Sequence, residues 1–404
     1  MDILVINSGS SSIKFQLVNP EKRDVLCKGL LERIGIADGI FNYEPTGKPR
    51  IKETRDIPTH KAGIAMVLEA ITSPQHGVIA SLDEIDAVGH RIVHGGERIK
   101  HSELLSDDVV EVIRDCSKLA PLHNPPNLMG VEAVKAYLPD IPHVGVFDTA
   151  FHATMPEPSY IYALDYDCYG KHGIRRFGFH GTSHQYVAMR GAEILGMPLE
   201  DFNCVTCHMG NGVSLTAVKG GRSMDTTLGF GTMCGVPMGT RAGDVDPAII
   251  LYLIDDLGMS TKEVHDLLYK KSGFKGLSGL TNDMRDTEKA AAEGNHRAQL
   301  ALDVFFHIAR KYVAALATNL GGRLDAVIFT AGIGENSPET RWEVCQGLEF
   351  MGVHVDPEKN RVRGKEAIVS TDGSPVKVMA IPTNEELMIA IDTARVAKGL
   401  AGRV

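Results

Sequence analysis

The chain opens with two apolar runs separated by small polar residues. Residues 3–6 (ILVI) and 13–18 (IKFQLV) each predict a buried or half-buried β-strand. The six residues between them, 7–12 (NSGSSS), suit an ordinary β-hairpin turn, because small residues tolerate left-handed backbone conformations. The turn is longer than a two-residue hairpin requires, and it is rich in hydroxyl and backbone N–H groups. We therefore favour an anion-binding turn over a plain hairpin.

The same order of elements recurs further along the chain. Residues 202–218 (FNCVTCHMGNGVSLTAV) again predict an apolar strand, a small-residue turn and a second strand, whereas residues 325–340 (DAVIFTAGIGENSPET) predict a strand, a Gly-rich loop and a helix start. In the third loop Ser337-Pro338 is typical of an N-cap followed by Pro at the first helical position, and helix N-termini favour anions. Three such loops indicate one recurring role.

Helical periodicity is clearest over residues 296–320, and Gly321-Gly322 then provides the expected helix end. Strands alternate with helices along the whole chain, which favours the α/β class over all-β or all-α. The segment 155–173 contains two prolines and loses periodicity, so we place a domain junction there. A length of 404 residues with 43% hydrophobic content suits two domains.

Composition excludes several classes of protein. A net charge of -9 argues against a nucleic-acid partner, which needs a basic surface. Without a signal-peptide pattern or an apolar run of about 20 residues, we expect neither export nor membrane insertion. Seven scattered cysteines do not form a disulfide framework, and the close pair Cys204 and Cys207 predicts buried packing. His180 and His184 have helical metal-ligand spacing but lack the Glu of a zinc-protease motif, so zinc is not favoured.

Known nucleotide-binding motifs are absent. The chain has no G-x-x-x-x-G-K-[ST] sequence, and GIGENS lacks the third glycine of the dinucleotide fingerprint. Two turns of small residues and one Gly-rich loop instead suit a phosphate chain held by backbone N–H groups, with a metal ion sharing the charge.

Nine motifs now identify a family. They occur in one order along the chain: NSGSSSIKF, GHRIVHGG, APLHNPPN, FDTAFH, FGFHGTSH, HMGNG, MGTRAGDVDP, AGIGEN and IPTNEE. The chain resembles the acetate kinases over its whole length, and through them the superfamily of sugar kinases and actin. The resemblance implies an α/β fold of two duplicated ribonuclease-H-like lobes, as in actin-like ATPases, with the active-site cleft between the lobes. It implies an N-terminal lobe of residues 1–150 completed by a C-terminal helix 386–404, and a nucleotide-binding lobe of residues 151–385.

The resemblance also implies an activity and partners. These are reversible, Mg²⁺-dependent transfer of the γ-phosphoryl group of ATP to acetate, giving ADP and acetyl phosphate by direct in-line transfer, with Mn²⁺ as a substitute for Mg²⁺. A homodimer, a cytoplasmic location and a functional link to a phosphate acetyltransferase in acetyl-CoA biosynthesis are implied as well. No nucleic acid or membrane is expected as a partner.

Two arginines and a histidine are candidates for stabilising the transferring phosphoryl group. Arg91 follows the apolar stretch AVGH and Arg241 lies in MGTRAGD. A guanidinium group matches a carboxylate or phosphate with two parallel hydrogen bonds, although a surface or interdomain salt bridge is the alternative for each arginine. His180 can donate to the phosphoryl group or be a hydrogen-bonded core histidine, and the resemblance favours the catalytic role.

Asp148 ends the apolar run HVGVFD, so we expect it at the carboxyl end of a strand, where α/β sites commonly lie. The resemblance makes it the catalytic acidic residue. A carboxylate with an ordinary pKa near ~4 is already ionised at pH 7 and needs no base to become a nucleophile. We therefore expect Asp148 to orient the arginines or metal-bound water rather than to remove a proton.

The remaining site residues are implied by the resemblance alone. Acceptor contacts are expected from Arg91, Val93, Leu122, His123, Phe179 and Thr232. Nucleotide contacts are expected from Lys14, His208, Met209, Gly210, Asn211, Gly212, Asp283, Met284, Arg285, Ala331, Gly332, Ile333, Gly334 and Glu335. The expected Mg²⁺-linked residues are Asn7 and Glu385. Thr383 and Glu386 fit an S/T-x-x-E capping box, which would give Glu386 a structural role and leave Glu385 for the metal.

One stretch departs from the family pattern. Residues 229–236 read GFGTMCGV where the family commonly reads GFTPLEGL, so Thr232 replaces a proline and Cys234 a glutamate. This stretch is expected near the acceptor, which leaves propionate or another short acid as an alternative substrate. A hydrophobic pocket distinguishes one methylene by only ~1–3 kcal/mol. An actin-like ATPase without a small-molecule acceptor is the alternative from another class.

Overall fold

The computed structural model describes residues 1–400, so the last four residues of the expected C-terminal helix 386–404 lie outside the described part. The chain divides into two compact units. Unit 1 consists of Met1–Ala153 together with the chain from Asn384 onward, and unit 2 is the continuous segment Thr154–Thr383.

Unit 1 contains one sheet with strands in the order β5-β4-β3-β2-β1-β6-β8-β7, counted over residues 1–400. The strands are β1 Ile3–Ser8, β2 Ser12–Asn19, β3 Asp24–Glu32, β4 Ile40–Pro45, β5 Ile51–Thr54, β6 Ala87–Ile92, β7 Glu103–Leu104 and β8 His143–Phe147. The helices are α1 His60–Thr72, α2 Asp107–Asp115, α3 Asn124–Lys135 and α14 Glu385–Ala397.

The sheet of unit 2, over the same described residues, has the order β11-β10-β9-β12-β14-β13. Its strands are β9 Asn203–Met209, β10 Val213–Lys219, β11 Arg222–Thr226, β12 Ala326–Thr330, β13 Ala367–Ile368 and β14 Lys377–Ala380. The helices are α4 Glu157–Tyr160, α5 Tyr166–Gly170, α6 Gly181–Leu195, α7 Pro247–Asp255, α8 Thr261–Lys270, α9 Gly273–Ser278, α10 Met284–Ala292, α11 His296–Ala317, α12 Ala331–Asn336 and α13 Pro338–Cys345.

The two sheets share one topology. In each, three consecutive strands form an antiparallel meander, β1-β2-β3 and β9-β10-β11. A later strand then pairs in parallel with the first strand of the meander (β6 with β1, β12 with β9), and another strand pairs in parallel with that one (β8 with β6, β14 with β12). The predicted α/β class and the duplication of the lobes are therefore confirmed.

Close helix–sheet packing depends on glycine. A Cβ added to Gly89 on β6 would lie 2.3 Å from Thr393 Oγ1 and 2.8 Å from Ile389 Cγ2 on α14. In unit 2, a Cβ on Gly191 of α6 would lie 2.6 Å from Ile328 of β12. Any larger residue at these positions would push the helix away from its sheet.

Several local predictions are confirmed. Both small-residue turns close antiparallel hairpins, β1-β2 and β9-β10. Helix α11 ends close before Gly321, whose φ is 71°, and Ser337 caps α13 with Pro338 at the first helical position. Cys204 and Cys207 are buried free thiols within β9.

Two local predictions are wrong. Residues 331–336 (AGIGEN) form the short helix α12 rather than an irregular loop, because the chain turns into helical conformation directly after β12. The N-cap of α14 is Asn384, whose side chain accepts from Leu387 N at 3.1 Å, so Thr383 and Glu386 form no capping box. No helix within residues 1–400 is long and apolar enough to span a membrane.

Candidate functional site

Arg91 and Asp148 form a two-pronged ion pair in unit 1. The parallel strands β6 and β8 end at the same edge of the sheet, with Arg91 opposite Val146 and Asp148 one residue beyond β8. Arg91 Nε donates to Asp148 Oδ1 at 3.0 Å, and Nη2 donates to Oδ2 at 2.7 Å. The side chains are 24% and 3% exposed, so Asp148 raises the pKa of Arg91. The structure thus places the predicted acidic residue directly on one of the predicted arginines.

The first turn of α14 brings two more carboxylates beside this pair. Glu386 pairs with Lys14 Nζ on β2, which replaces the capping role predicted for Glu386. Burial raises the pKa of the Glu385 carboxyl, Asp148 and Glu386 raise it further, and Arg91 and Lys14 lower it. Three carboxyl groups therefore face two cations, which gives the cluster a formal charge of -1 when all five groups are counted as ionised.

Asn7 belongs to the same face of the sheet. It lies opposite Lys14 in the antiparallel β1-β2 pair, and opposite residues direct their side chains to one face. The parallel pairing of Ile6 with His90 also brings Asn7 level with Arg91. The side chain of Asn7 makes no hydrogen bond to another residue of the described chain. Its amide oxygen is thus available to a ligand beside the excess negative charge.

The other face of β1 explains how the hairpin turn is held. The backbone of Ser8 accepts from Asn127 Nδ2 at 2.7 Å, and Asn127 Oδ1 accepts from Val93 N at 3.1 Å. Helix α3 packs so closely that a Cβ on Gly130 would lie 2.1 Å from Ser8 Oγ. Asn127 therefore couples the NSGSSS turn to the segment after β6. Sequence reasoning missed this residue, although it ends the APLHNPPN motif.

The predicted acceptor residues of unit 1 differ in burial. Val93 is 8% exposed, whereas Leu122 is 77% exposed and the side chain of His123 is also exposed. Leu122 and His123 lie just before α3, with His123 at its N-cap position. Of these three residues, Val93 is therefore part of the packed interior, whereas Leu122 and His123 lie at the surface of unit 1.

In unit 2, His180 occupies a strained position. It precedes α6 with a φ of 56°, in the left-handed region that non-glycine residues rarely adopt. Its ring stacks on His208 at 4.1 Å between centroids, and its Nδ1 lies 2.8 Å from Ser214 Oγ. Phe179, the residue before it, is buried. Strain of this kind persists only where the surroundings fix the residue, as they do here.

His208 starts a second chain of contacts. Its Nδ1 lies 2.8 Å from Ser183 Oγ, which lies 2.8 Å from Thr383 Oγ1. The backbone N–H of Thr383 donates to Glu335 Oε1 at 2.9 Å. Thr383, predicted to cap α14, is therefore bound within unit 2, and Ser183, which lies in the FGFHGTSH motif but was not among the predicted site residues, links it to His208.

Arg241 is a partly buried cation beside His180. Its Nη1 donates to the backbone oxygen of Thr232, and no carboxylate of the described residues lies within salt-bridge distance of it. Burial lowers the pKa of Arg241. A Cβ added to Gly212 would lie 2.9 Å from Arg241 Nη2 and 3.5 Å from His180 Nε2. The side chains of Arg241 and His180 therefore both approach Gly212, where a larger residue would meet them.

The predicted nucleotide residues of unit 2 form three groups. Gly210, Asn211 and Gly212 make the β9-β10 turn after His208 and Met209, with Asn211 Oδ1 accepting from Asn282 Nδ2 at 3.3 Å. Ala331 to Glu335 lie in α12, where Gly332 is exposed. Asp283 caps α10, which begins at Met284, and binds Arg285 through two hydrogen bonds at 3.0 and 2.6 Å. These groups offer backbone N–H donors and an exposed arginine.

The site in this fold can now be compared with known proteins. Residues 2–391 match the sequence model of the Acetokinase family. The acetate kinase of Alkaliphilus metalliredigens is 56% identical over 393 residues, 97% of this chain and 99% of that protein. The crystal structure of Porphyromonas gingivalis acetate kinase has a TM-score of 0.93 at 44% identity, covering 98% of this chain and 99% of that one. A propionate kinase from Francisella tularensis has a TM-score of 0.89 at 39% identity, with the same coverage.

These similarities and the duplicated α/β fold define the class of protein as a kinase, a phosphoryl-transferring enzyme. The chain belongs to the acetokinase family.

Proposed function

We propose that the protein is an acetate kinase that transfers the γ-phosphoryl group of ATP reversibly to acetate by direct in-line displacement. The observation that carries the proposal is Arg241, a partly buried guanidinium with no carboxylate partner in the described chain, which approaches Gly212 as His180 does. A cation in this setting is suited to bind an anion, and phosphoryl transfer between two anions requires such a group.

The proposed reaction does not need a general base to deprotonate the acceptor. Acetate is ionised at neutral pH, so the enzyme has to bring it to the phosphoryl group and stabilise the charge on the equatorial oxygens. In this proposal Arg241 and His180 donate to those oxygens, while Arg91 binds the acceptor carboxylate or the phosphoryl group. Asp148 holds Arg91 by two hydrogen bonds and so fixes the plane of its guanidinium. Val93, Leu122, His123, Phe179 and Thr232 are the proposed acceptor contacts.

The residues of unit 1 fit a magnesium ion. Mg²⁺ prefers a few carboxylate or amide oxygens and completes its octahedron with water and phosphate oxygens. Asn7 offers an amide oxygen without an intramolecular partner, and Glu385 lies in a cluster with one excess negative charge. No group of three or more His, Cys, Asp or Glu side chains among residues 1–400 is arranged to hold a metal, so few protein ligands are expected. Bound Mg²⁺, or Mn²⁺ in its place, would neutralise charge on the phosphates.

The nucleotide would be held by the groups that surround the β9-β10 turn, α12 and the start of α10. His208 to Gly212 and Ala331 to Glu335 supply backbone N–H groups, Asp283 to Arg285 contact the adenosine, and Lys14 reaches the phosphates. We also propose that the enzyme works in the cytoplasm together with a phosphate acetyltransferase, which exchanges acetyl phosphate with acetyl-CoA.

The test of the activity is ATP turnover with and without acetate, with hydroxylamine to trap the acyl phosphate. We expect turnover to depend on acetate and to give acetohydroxamate. Turnover of ATP without acetate and without trapped product would instead indicate an actin-like ATPase.

Propionate is a second candidate acceptor. Arg241 donates to the carbonyl of Thr232, which lies in the stretch GFGTMCGV that departs from the family pattern, and Cys234 in that stretch is half-buried. A propionate kinase is also among the structures that this chain resembles. Comparing kcat/KM for formate, acetate, propionate and butyrate distinguishes the two. A preference for propionate would move the assignment to a propionate kinase.

Glu385→Gln should raise the Mg²⁺ concentration needed for half-maximal activity by about tenfold or more, because the amide keeps the shape but loses the charge that attracts the ion. Its melting temperature should stay close to that of the wild type. Mg²⁺ titrations of activity and thermal unfolding give both quantities.

Asn384→Ala is the matched control for Glu385→Gln. It removes the N-cap of α14 and should lower the free energy of unfolding by ~1 kcal/mol, with little change in Mg²⁺ requirement. If Asn384→Ala rather than Glu385→Gln altered the Mg²⁺ titration, the metal assignment would be wrong.

A homodimer is proposed as the assembly, and α7 is its candidate contact surface. Helix α7 has the sequence PAIILYLID, yet none of its nine residues is buried. Ile249, Leu251 and Tyr252 are 47%, 61% and 54% exposed. Exposed apolar side chains grouped on one helix are typical of an interaction surface, and a second copy of the chain is the partner that the proposed dimer provides.

Leu251→Glu should weaken dimerisation by roughly 10- to 100-fold in Kd, because burying a Leu side chain contributes about 1.5–3 kcal/mol. Sedimentation equilibrium of wild type and variant measures the change. Leu300→Glu is the control, since Leu300 is 43% exposed on α11 and away from this helix in sequence. Equal association of the Leu251 variant and the wild type would exclude α7 from the interface.

A further inference from the structure

One serine hydroxyl lies between two histidines in unit 2. Ser214 Oγ on β10 is 2.8 Å from His180 Nδ1 and 2.7 Å from His184 Nε2. The other nitrogen of His184, Nδ1, is 2.7 Å from Thr206 Oγ1 on β9. Ser214 and Thr206 are fully buried, so no water competes for these contacts. The four residues form one continuous chain of hydrogen bonds that ends on His180.

A hydroxyl carries a single proton and a neutral imidazole has one donor and one acceptor nitrogen, so with both histidines neutral this chain has two consistent directions. In the first, Thr206 donates to His184 Nδ1, His184 Nε2–H donates to Ser214, and Ser214 donates to His180 Nδ1. His180 then carries its proton on Nε2. In the reverse direction His180 carries its proton on Nδ1, and Nε2 presents a lone pair.

Two observations favour the first direction. In the reverse direction the Thr206 hydroxyl would have to donate to the backbone oxygen of Thr216, at 3.4 Å, well beyond the usual O–H···O distance of about 2.5–3.0 Å. The first direction gives Thr206 an acceptor at 2.7 Å instead. It also leaves the proton on Nε2 of His180, the ring nitrogen that lies beside Gly212 as Arg241 Nη2 does.

We propose that Thr206, His184 and Ser214 form a relay that holds His180 as the neutral Nε2–H tautomer, ready to donate to the transferring phosphoryl group. The titratable groups near His180 include His208 stacked on its ring, His184 across Ser214, and Arg241 beside Gly212. Since Arg241 already brings a positive charge, a neutral donor avoids a second cation there. Thr206 and Ser214 are positioning residues, and the inference rests on the proposed phosphoryl-contacting role of His180.

Three variants of the full chain test the relay. Thr206→Val removes the hydroxyl and keeps the shape, whereas Thr206→Ser keeps the hydroxyl. Thr216→Val is the matched control, because Thr216 is the buried register partner of Thr206 and its hydroxyl contacts Thr226 at 2.9 Å, outside the relay. Long-range ¹⁵N–¹H spectra of imidazole-labelled enzyme, with His180 assigned through His180→Gln, report the tautomer directly.

We expect the Nε2–H tautomer of His180 in the wild type, Thr206→Ser and Thr216→Val, and a mixture in Thr206→Val. The kcat of Thr206→Val should be about tenfold lower than wild type at pH 8 and should recover toward pH 6, because the imidazolium carries an N–H on both nitrogens. KM values should change less than twofold, and the wild type and Thr216→Val should show no such recovery.

An Nδ1–H tautomer in the wild type would overturn the relay, as would a Thr206→Val variant with an unchanged tautomer and an unchanged pH profile. The spectra need no substrate, so the tautomer that they report does not depend on the proposed activity. If the enzyme failed to phosphorylate acetate while His180 showed the expected tautomer, the proposed function would fail and the relay would remain.

Discussion

Arg241→Ala is expected to lower kcat/KM for acetate phosphorylation by roughly 10²–10³-fold, because the variant loses a preorganised cationic donor that has no substitute nearby. The guanidinium is partly buried, approaches Gly212 as His180 does, and is not engaged by any carboxylate within residues 1–400. Steady-state kinetics with acetate and with ATP as the varied substrate, together with circular dichroism, give the measurement.

Two further variants serve as comparisons for Arg241→Ala. Arg241→Lys keeps the charge but loses the planar fork, and we expect it to recover only part of the activity. Arg361→Ala removes an exposed arginine that pairs with Glu358 at the surface, and it should behave as wild type. Near-normal kcat/KM in a folded Arg241→Ala enzyme would remove this residue from the site.

Asp148→Asn should reduce kcat by about 10³-fold or more, although acetate needs no base. The amide can accept only one of the two hydrogen bonds from Arg91, and its NH₂ group faces the guanidinium. Arg91 then loses its neutralising partner and can turn toward Glu385. Breaking a buried pair of this kind should also lower the free energy of unfolding by about 3 kcal/mol.

The pH dependence of Asp148→Asn separates two roles. If Asp148 acts by holding Arg91, the deficit should be the same from pH 6 to pH 9 at saturating Mg²⁺. A deficit that disappears at high pH would show that hydroxide can replace Asp148, and would restore a proton-accepting role. Arg91→Lys is the companion variant, because it keeps a cation beside Asp148 but removes the two-pronged contact.

Local features of the fold were predictable from sequence because neighbouring residues determine them. The NSGSSS and HMGNG turns, the end of α11 at Gly321 and the Ser337 cap all depend on a few adjacent residues. The α/β class follows from alternating strands and helices. The order of strands in each sheet depends on contacts between distant segments, and only the resemblance to a family implied the duplicated lobes.

Contacts at the candidate site between residues distant in sequence could not be predicted in this way. Thr383 and Glu386 have capping-box spacing, but Glu386 instead pairs with Lys14 and Thr383 binds Ser183 and Glu335. The helix keeps a side-chain cap, since Asn384, one residue further along, takes that role. Ser214 and Thr206 carry no motif of their own, since a strand serine or threonine has the same appearance whether or not a histidine lies beside it.

The discontinuity of unit 1 determines the order in which the protein can fold during synthesis. Helix α14 packs on β6 through Gly89 and brings Glu385 to Arg91, yet it is translated only after the whole of Thr154–Thr383. Unit 2 is continuous and can fold as soon as its last strand emerges from the ribosome. The sheet edge of unit 1 that carries Arg91 and Asp148 must wait for α14. A nascent chain that has released unit 2 therefore still exposes the apolar face that α14 will cover.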